Sequence, residues 1–286
     1  MIEAVHLLRT RLGEPGSGRV RYGAAMALWR SGALSDAVLE VYRIASAHDG
    51  ENPADLMHER GLTMPDLPAP TPDTLIRALV TEADAYLADL PGPGVAEARA
   101  GIAEARGGDC LPVEAPTHPV VAAHLAQALE HVAQTHPALA AAIGAAAPHL
   151  HWQGYPDYDP ALIGPGFVQG NAYAVMIGAQ DAPIPAGDFD LGLFLLAPHV
   201  LYRDHCHPAP ELYAPLTGPH GWRFAPDAPL VVKPAHVPVW NEPHQPHLTK
   251  VGPVPFLCLY AWTRDTQLPA RVIPAEDWPA LEALRL

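Results

Sequence analysis

Basic residues are scarce in this chain: 17 lysines and arginines stand against 31 aspartates and glutamates in 286 residues, a formal charge of -14. Neutralising a nucleic-acid backbone takes clustered Lys and Arg, so no nucleic-acid partner is expected. Cysteine is also rare. The three present, Cys110, Cys206 and Cys258, are odd in number and far apart, which fits neither a disulfide framework nor a Cys-x-x-Cys metal knuckle; a cytoplasmic location is expected. No apolar run reaches the ~18 residues of a bilayer span. The opening MIEAVHLLRTRLGEPG lacks the basic start, apolar centre and small-residue cleavage site of a secretory signal. No membrane partner is expected. The glycines of LGEPGSGR come without the Gly-Lys-Ser/Thr of a phosphate loop and read as a turn.

What is present is a chain that is 49% hydrophobic, enough for one or two packed domains. Up to residue 145, apolar residues recur at helical spacing in segments such as 3–12, 23–31, 35–48, 74–90, 96–106 and 119–133, with Gly and Pro breaks between them. In 74–90, Leu75, Ala78, Leu79, Ala83, Tyr86, Leu87 and Leu90 form one stripe, opposite Arg77, Thr81 and Asp84. From 146 onward the chain turns to short β-branched and aromatic runs bounded by Pro, Gly, Asp and Asn: 171–178, 189–197, 200–206, 211–217, 221–224, 229–233, 236–240 and 254–263. Helices lead and strands follow, without βαβ alternation. The expected organisation is an α-helical region over 1–145 and a β-barrel over 146–286.

Histidine is abundant, and seven of the 16 (His199, His205, His207, His220, His236, His244 and His247) fall within 49 residues. The densest stretch runs Tyr202-Arg-Asp-His205-Cys-His207-Pro-Ala-Pro-Glu211-Leu-Tyr213. On a strand, His205 and His207 point to one face, and Glu211 and Tyr213 repeat that relation on the next strand, beyond a proline-rich turn. Imidazole nitrogen and carboxylate oxygen suit one divalent transition metal: zinc, iron, manganese, cobalt or nickel. A further histidine comes from Trp240-Asn-Glu-Pro-His244-Gln-Pro-His247. His247, ahead of the run PFLCLYAW, is preferred to His244 inside the turn. Histidines beside prolines are often merely solvated, but H-x-H-x3-E-x-Y with a later His is a demanding pattern. Cys206 alternates away from its flanking histidines as a core thiol, and Arg203 and Asp204 read as solvated or paired.

These residues resemble a known family. YRDHCHPAPELY, then LTGPHGW, PLVVKPAHVPVW, EPHQPH and PFLCLYAW are similar to the two motifs of the cupin-type dimethylsulfoniopropionate lyases, over about residues 118–268 and most densely over 190–265. The resemblance implies a mainly β cupin, a double-stranded β-helix or jelly-roll barrel, preceded by helices. It implies His207, Glu211, Tyr213 and His247 around one divalent metal, with His205 a neighbouring active-site residue or alternative ligand. The implied reaction is β-elimination of a zwitterionic sulfonium carboxylate to acrylate and dimethyl sulfide. A phenol near a metal loses its proton more readily, so Tyr213 is the expected base and Tyr202, off the shared strand face unless a bulge intervenes, the second choice. Trp222, Trp240, Tyr260 and Trp262 are candidates to hold the sulfonium by cation–π contact. The family's lyases are commonly shorter, so about the first 100 residues have no assigned counterpart. Cupins also host oxygenases, other lyases on small carboxylates and non-catalytic binding proteins. A homodimer is an open expectation.

Overall fold

Short polar caps and prolines start the helices of the first half. In a computed structural model describing residues 2–67, 69–155 and 158–286, the chain divides into two compact units, Met1–Thr74 and Leu75–Leu286. The first contains α1 (Ile2–Leu7), α2 (Ser17–Arg30), α3 (Asp36–Ala45) and α4 (Pro53–Glu59). Ser35 accepts the Val38 N–H and Asn52 the Ala54 N–H, satisfying orphan donors at the starts of α3 and α4. Val5, Leu8, Leu28, Val38, Val41 and Met57 form its core.

The second unit takes up α5 (Pro72–Ala88), α6 (Val95–Ala105), α7 (Pro119–Val132) and α8 (Pro137–Ala146), then the short α9 (Pro160–Ile163) and α10 (Pro165–Gly170). Eleven strands follow: β1 (Asn171–Gly178), β2 (Ile184–Pro185), β3 (Asp190–Leu196), β4 (Leu201–Cys206), β5 (Glu211–Pro215), β6 (His220–Arg223), β7 (Val231–Lys233), β8 (Val239–Asn241), β9 (His247–Val251), β10 (Phe256–Trp262) and β11 (Arg271–Val272). A last helix, α11 (Trp278–Ala283), ends the fold.

The strands form two sheets, ordered β2-β1-β3-β10-β5-β8 and β11-β4-β9-β6-β7. Apart from the parallel β1–β2 contact, every ladder is antiparallel. From β3 to β6 and again from β8 to β11 each strand lies in the sheet opposite its predecessor, the winding of a double-stranded β-helix. This is the cupin fold with helices ahead of it.

Period-2 alternation gives each strand of the six-stranded sheet two destinations. Leu191, Leu193, Leu195, Leu212, Ala214, Leu257 and Leu259 join one apolar cluster with Leu79, Ala83, Leu87, Ile102, Leu125 and Ile143 of the helices. Phe194, Leu196, Tyr213, Phe256 and Cys258 belong instead to the barrel interior, with Tyr202, Trp222 and Val251 of the other sheet. Helices α5–α8 therefore share a core with the strands, and composition changes at 145/146 without a break in packing. The expected strand segments correspond to β1, β3–β8 and β10; β2, β9, β11, α9, α10 and α11 had no counterpart in the sequence reading. In particular 247–251, expected as the approach to the last strand, is itself a strand between β4 and β6.

Candidate metal centre and its cavity

Two strands and one turn deliver the histidines, and a third strand delivers the carboxylate. His205 lies on β4 directly opposite His247, the first residue of β9. His207 follows β4 in the turn that Pro208 and Pro210 bend toward β5, where Glu211 begins the strand. One ring nitrogen from each of His205, His207 and His247 lies within 4.8 Å of the others, and all three side chains are buried. His244, by contrast, is exposed; its backbone N–H donates to the His207 carbonyl at 2.8 Å and so braces the turn.

Each imidazole is oriented by the main chain. His205 Nδ1 lies 2.8 Å from the Arg203 carbonyl, His207 Nδ1 2.7 Å from that of Ala209, and His247 Nδ1 3.0 Å from that of Gln245. A carbonyl only accepts, so Nδ1 carries the proton on each ring and Nε2 is left as a lone-pair donor. Nε2 of His207 and of His247 then faces the same carboxylate oxygen, Glu211 Oε2, at 3.1 and 3.4 Å. Lone pairs on lone pairs at that separation call for a positive charge between them. Nε2 of His205 and of His247 are buried without a hydrogen-bond partner. The donor set, three neutral imidazoles and a carboxylate, fits a divalent transition metal.

Glu211 is held from the other side as well. Asn241, in register with it on β8, donates Nδ2–H to Oε2 at 3.0 Å, and Trp262, in register on β10, donates Nε1–H to Oε1 at 2.7 Å. Burial opposes its ionisation, but positive charge on its histidine side, a proton on His207 or His247 where no cation stands between them, holds its carboxyl below the usual carboxylate range. Burial, followed by the neighbouring imidazoles, pushes the His205 ring well below the ordinary histidine range, which keeps it neutral with a lone pair available to a cation.

A cavity of about 490 Å³ opens beside the cluster, lined among others by His207, Glu211, Tyr213, Tyr202, Tyr260 and Trp262. Tyr213 packs against Trp222 and Phe194, with ring centroids 5.1 and 6.2 Å away. Tyr202 reaches the cavity because the β4–β9 register shifts between Tyr202 and His205; its ring stacks on His205 at 3.8 Å and its hydroxyl shares a 2.7 Å hydrogen bond with Tyr158. Burial pushes both phenols well above their ordinary pKa.

The four aromatic candidates separate. Trp262 lies 4.5 Å, centroid to centroid, from His207, and Tyr260 lines the cavity. Trp222 is wholly buried, parallel to the His247 ring at 6.0 Å, and Trp240 packs on the helical side, where its ring leaves no room for a Cβ at Gly94. Asp204, read from the sequence as solvated or paired, is fully buried and bonded to Arg223 and Trp278. The sequence reading missed Asn241, Tyr158 and the cavity-lining Tyr155, Tyr173 and Asp190. Asn241 was legible only as the residue before Glu242 in the His-bearing turn; the others required the register.

Comparison with known proteins agrees with this geometry. The model of the dimethylsulfoniopropionate (DMSP) lyase family matches residues 107–258, just over half of the chain. Among solved structures, the chain is similar to the DMSP lyase DddQ from Ruegeria pomeroyi DSS-3, at 22% identity and a TM-score of 0.55, over 71% of this chain and 98% of that one. It is similar also to a chain from the crystal structures of the DMSP lyases RdDddP and RnDddQII, at 19% identity and a TM-score of 0.53, over 71% of this chain and all of that one. No curated protein matches. At these identities the solved structures speak for the fold.

Proposed function

Because the chain belongs to the dimethylsulfoniopropionate lyase family, we propose that it is a metal-dependent carbon–sulfur lyase that splits DMSP into acrylate and dimethyl sulfide. The observation that carries this reading is the buried set of three imidazoles and Glu211 opening on a cavity lined by five tyrosines, Tyr213 and Tyr202 among them. His205, His207 and His247, with Glu211, would hold the metal. Once bound, a divalent cation would supply Lewis acidity to the substrate carboxylate and favour ionisation of nearby phenols.

The chain's own residues do the rest. Tyr213, on the same inward face of β5 as Glu211, takes the proton from the carbon next to the carboxylate. The electron pair of that C–H bond becomes the double bond of acrylate, and the carbon–sulfur bond breaks with its pair going to sulfur. No net oxidation occurs. Tyr260 and Trp262 line the space for the departing sulfur group. Asn241 and Trp262 fix Glu211 so that its carboxylate does not rotate away from His207 and His247. Among the described residues no helix is long and apolar enough to cross a membrane. Cys206 and Cys258 are buried thiols outside any disulfide, and we place the reaction in the cytoplasm.

The test is headspace measurement of dimethyl sulfide after DMSP is added to purified protein loaded in turn with zinc, iron, manganese, cobalt and nickel. Release that a chelator abolishes and one of these metals restores is expected. Alanine at His205, His207 or His247 should lower bound metal in elemental analysis; full metal content in all three variants would remove the centre. Oxygen consumption by the iron form without dimethyl sulfide would move the protein to an oxygenase on another small carboxylate.

A further inference from the structure

The cavity lining is electrically one-sided. Its charged side chains are Asp181, Asp190 and Glu211, with no lysine or arginine among the described lining residues. Glu211 is committed to the imidazoles, and Asp181 is exposed at the rim. Asp190 is different. It is the first residue of β3, in register with Trp262 of β10, which is itself in register with Glu211 of β5. Residues directly opposite share a face, so Glu211, Trp262 and Asp190 form one row across the barrel's inner wall, with two strand spacings, about 9.5 Å, from end to end. That distance accommodates a three-carbon zwitterion whose carboxylate points to the histidine end.

Local packing sets Asp190 among rings. A Cβ at Gly192 would collide with the Tyr260 ring, at 2.5 Å from Cε1 and 2.7 Å from Cζ. Glycine there lets Tyr260 lie over β3 beside Asp190. The Asp190 carboxylate lies against Gly178 of β1, where a Cβ would likewise collide with it, and accepts the Ala179 N–H. It has no cationic partner in an ion pair among the described residues. Burial, with the Asp188 charge adding to it, raises the carboxyl to about 6; an incoming cation acts in the opposite direction and favours the carboxylate. A carboxylate beside aromatic faces, in a cavity without basic side chains, is suited to a soft onium cation.

We propose that Asp190, with Tyr260 and Trp262, binds the cationic end of the substrate and sets a preference for an onium zwitterion over a simple carboxylate. The identification of that cation as a sulfonium rests on the lyase reading above.

The test uses two unreactive probes on the full-length, metal-loaded protein at pH 8, with affinity read by calorimetry. 3-(Trimethylammonio)propanoate carries both charges; 4-methylpentanoate has the shape of DMSP with a neutral carbon in place of sulfur. Wild type should bind the betaine at least about tenfold more tightly. Asp190→Asn keeps an acceptor for the Ala179 N–H, and should weaken the betaine by roughly tenfold while leaving 4-methylpentanoate within about twofold. Asp190→Glu, which keeps the charge, should retain a preference. Equal binding of the two probes by wild type would overturn the proposal, as would equal losses in Asp190→Asn; the wild-type comparison stands even if a variant folds poorly. A protein that shows the Asp190-dependent preference but releases no dimethyl sulfide refutes the lyase and leaves an onium site. One that releases dimethyl sulfide without discriminating between the probes refutes the site and leaves the lyase.

Discussion

Tyr213 and Tyr202 both line the cavity, yet their surroundings divide the work. The Tyr202 ring is stacked on His205 and its hydroxyl is engaged with Tyr158, so it is placed to orient the His205 ring. Tyr213 lies two residues from Glu211 on the same face of β5, in register with Tyr260. Burial and then the Glu211 charge hold its phenol well above the ordinary range. A base has to give that proton up, and the positive charge that the three imidazoles are arranged to hold acts in that direction. Tyr213→Phe is expected to lower kcat/KM for DMSP by about 10²–10⁴-fold, the usual contribution of a general base, with metal content and betaine binding nearly unchanged. Near-wild-type turnover in the metal-loaded variant would transfer the role to Tyr202, where Tyr202→Phe is the next measurement.

At the scale of elements, the sequence was most readable where residue type and periodicity agreed. The pattern H-x-H-x3-E-x-Y showed its chemistry because His205 on β4 and Glu211 and Tyr213 on β5 face inward and the short proline turn between the strands carries His207. Strand β3 was legible as a strand but not in its faces, since FDLGLFLL buries leucines on both sides of the sheet. Strand β9 was hidden by Lys250, whose charge argues for solvent; it is in fact fully buried, and its ammonium donates to the His199 and Glu282 carbonyls at 2.6 and 3.2 Å. Asp204, read as solvated or paired, is paired and buried. Arg223 of β6 grips it through two bonds of 2.9 and 2.6 Å, bonds Asp277 ahead of α11 at 2.6 and 2.9 Å, and leaves Asp204 to accept the Trp278 indole N–H at 2.7 Å. One cation thus fastens the C-terminal helix to the five-stranded sheet. Arg223→Met strands a buried carboxylate and should cost about 3–5 kcal/mol in urea unfolding. Adding Asp204→Leu should recover part of that loss, and equal stability of wild type and Arg223→Met would show that the bridge holds nothing.

At the scale of the whole chain, the division that matters for the centre is set by which leucines need covering. The outward faces of β3, β5 and β10 are apolar, and their cover is α5–α8, with Ile76, Leu79, Ala83 and Leu87 of α5 and Ala98 and Ile102 of α6 buried in the same cluster. Met1–Thr74 has its own core, built on Val5, Leu28, Val38 and Val41. A chain of residues 70–286 keeps every helix of the second cluster and should be soluble, bind metal in the full protein's stoichiometry and release dimethyl sulfide. Beginning instead at 115, where the strand-rich half alone would suffice if composition marked the domain boundary, removes α5 and α6. Each large apolar side chain then left uncovered forfeits about 1.5–3 kcal/mol of burial, and several together exceed the ~5–15 kcal/mol that stabilises a typical domain. Expression of both chains, with solubility, near-ultraviolet dichroism and metal content as readouts, decides the matter. A soluble, metal-binding 115–286 would show that the barrel needs no helical cover, and an insoluble 70–286 would show that the first four helices are part of its fold.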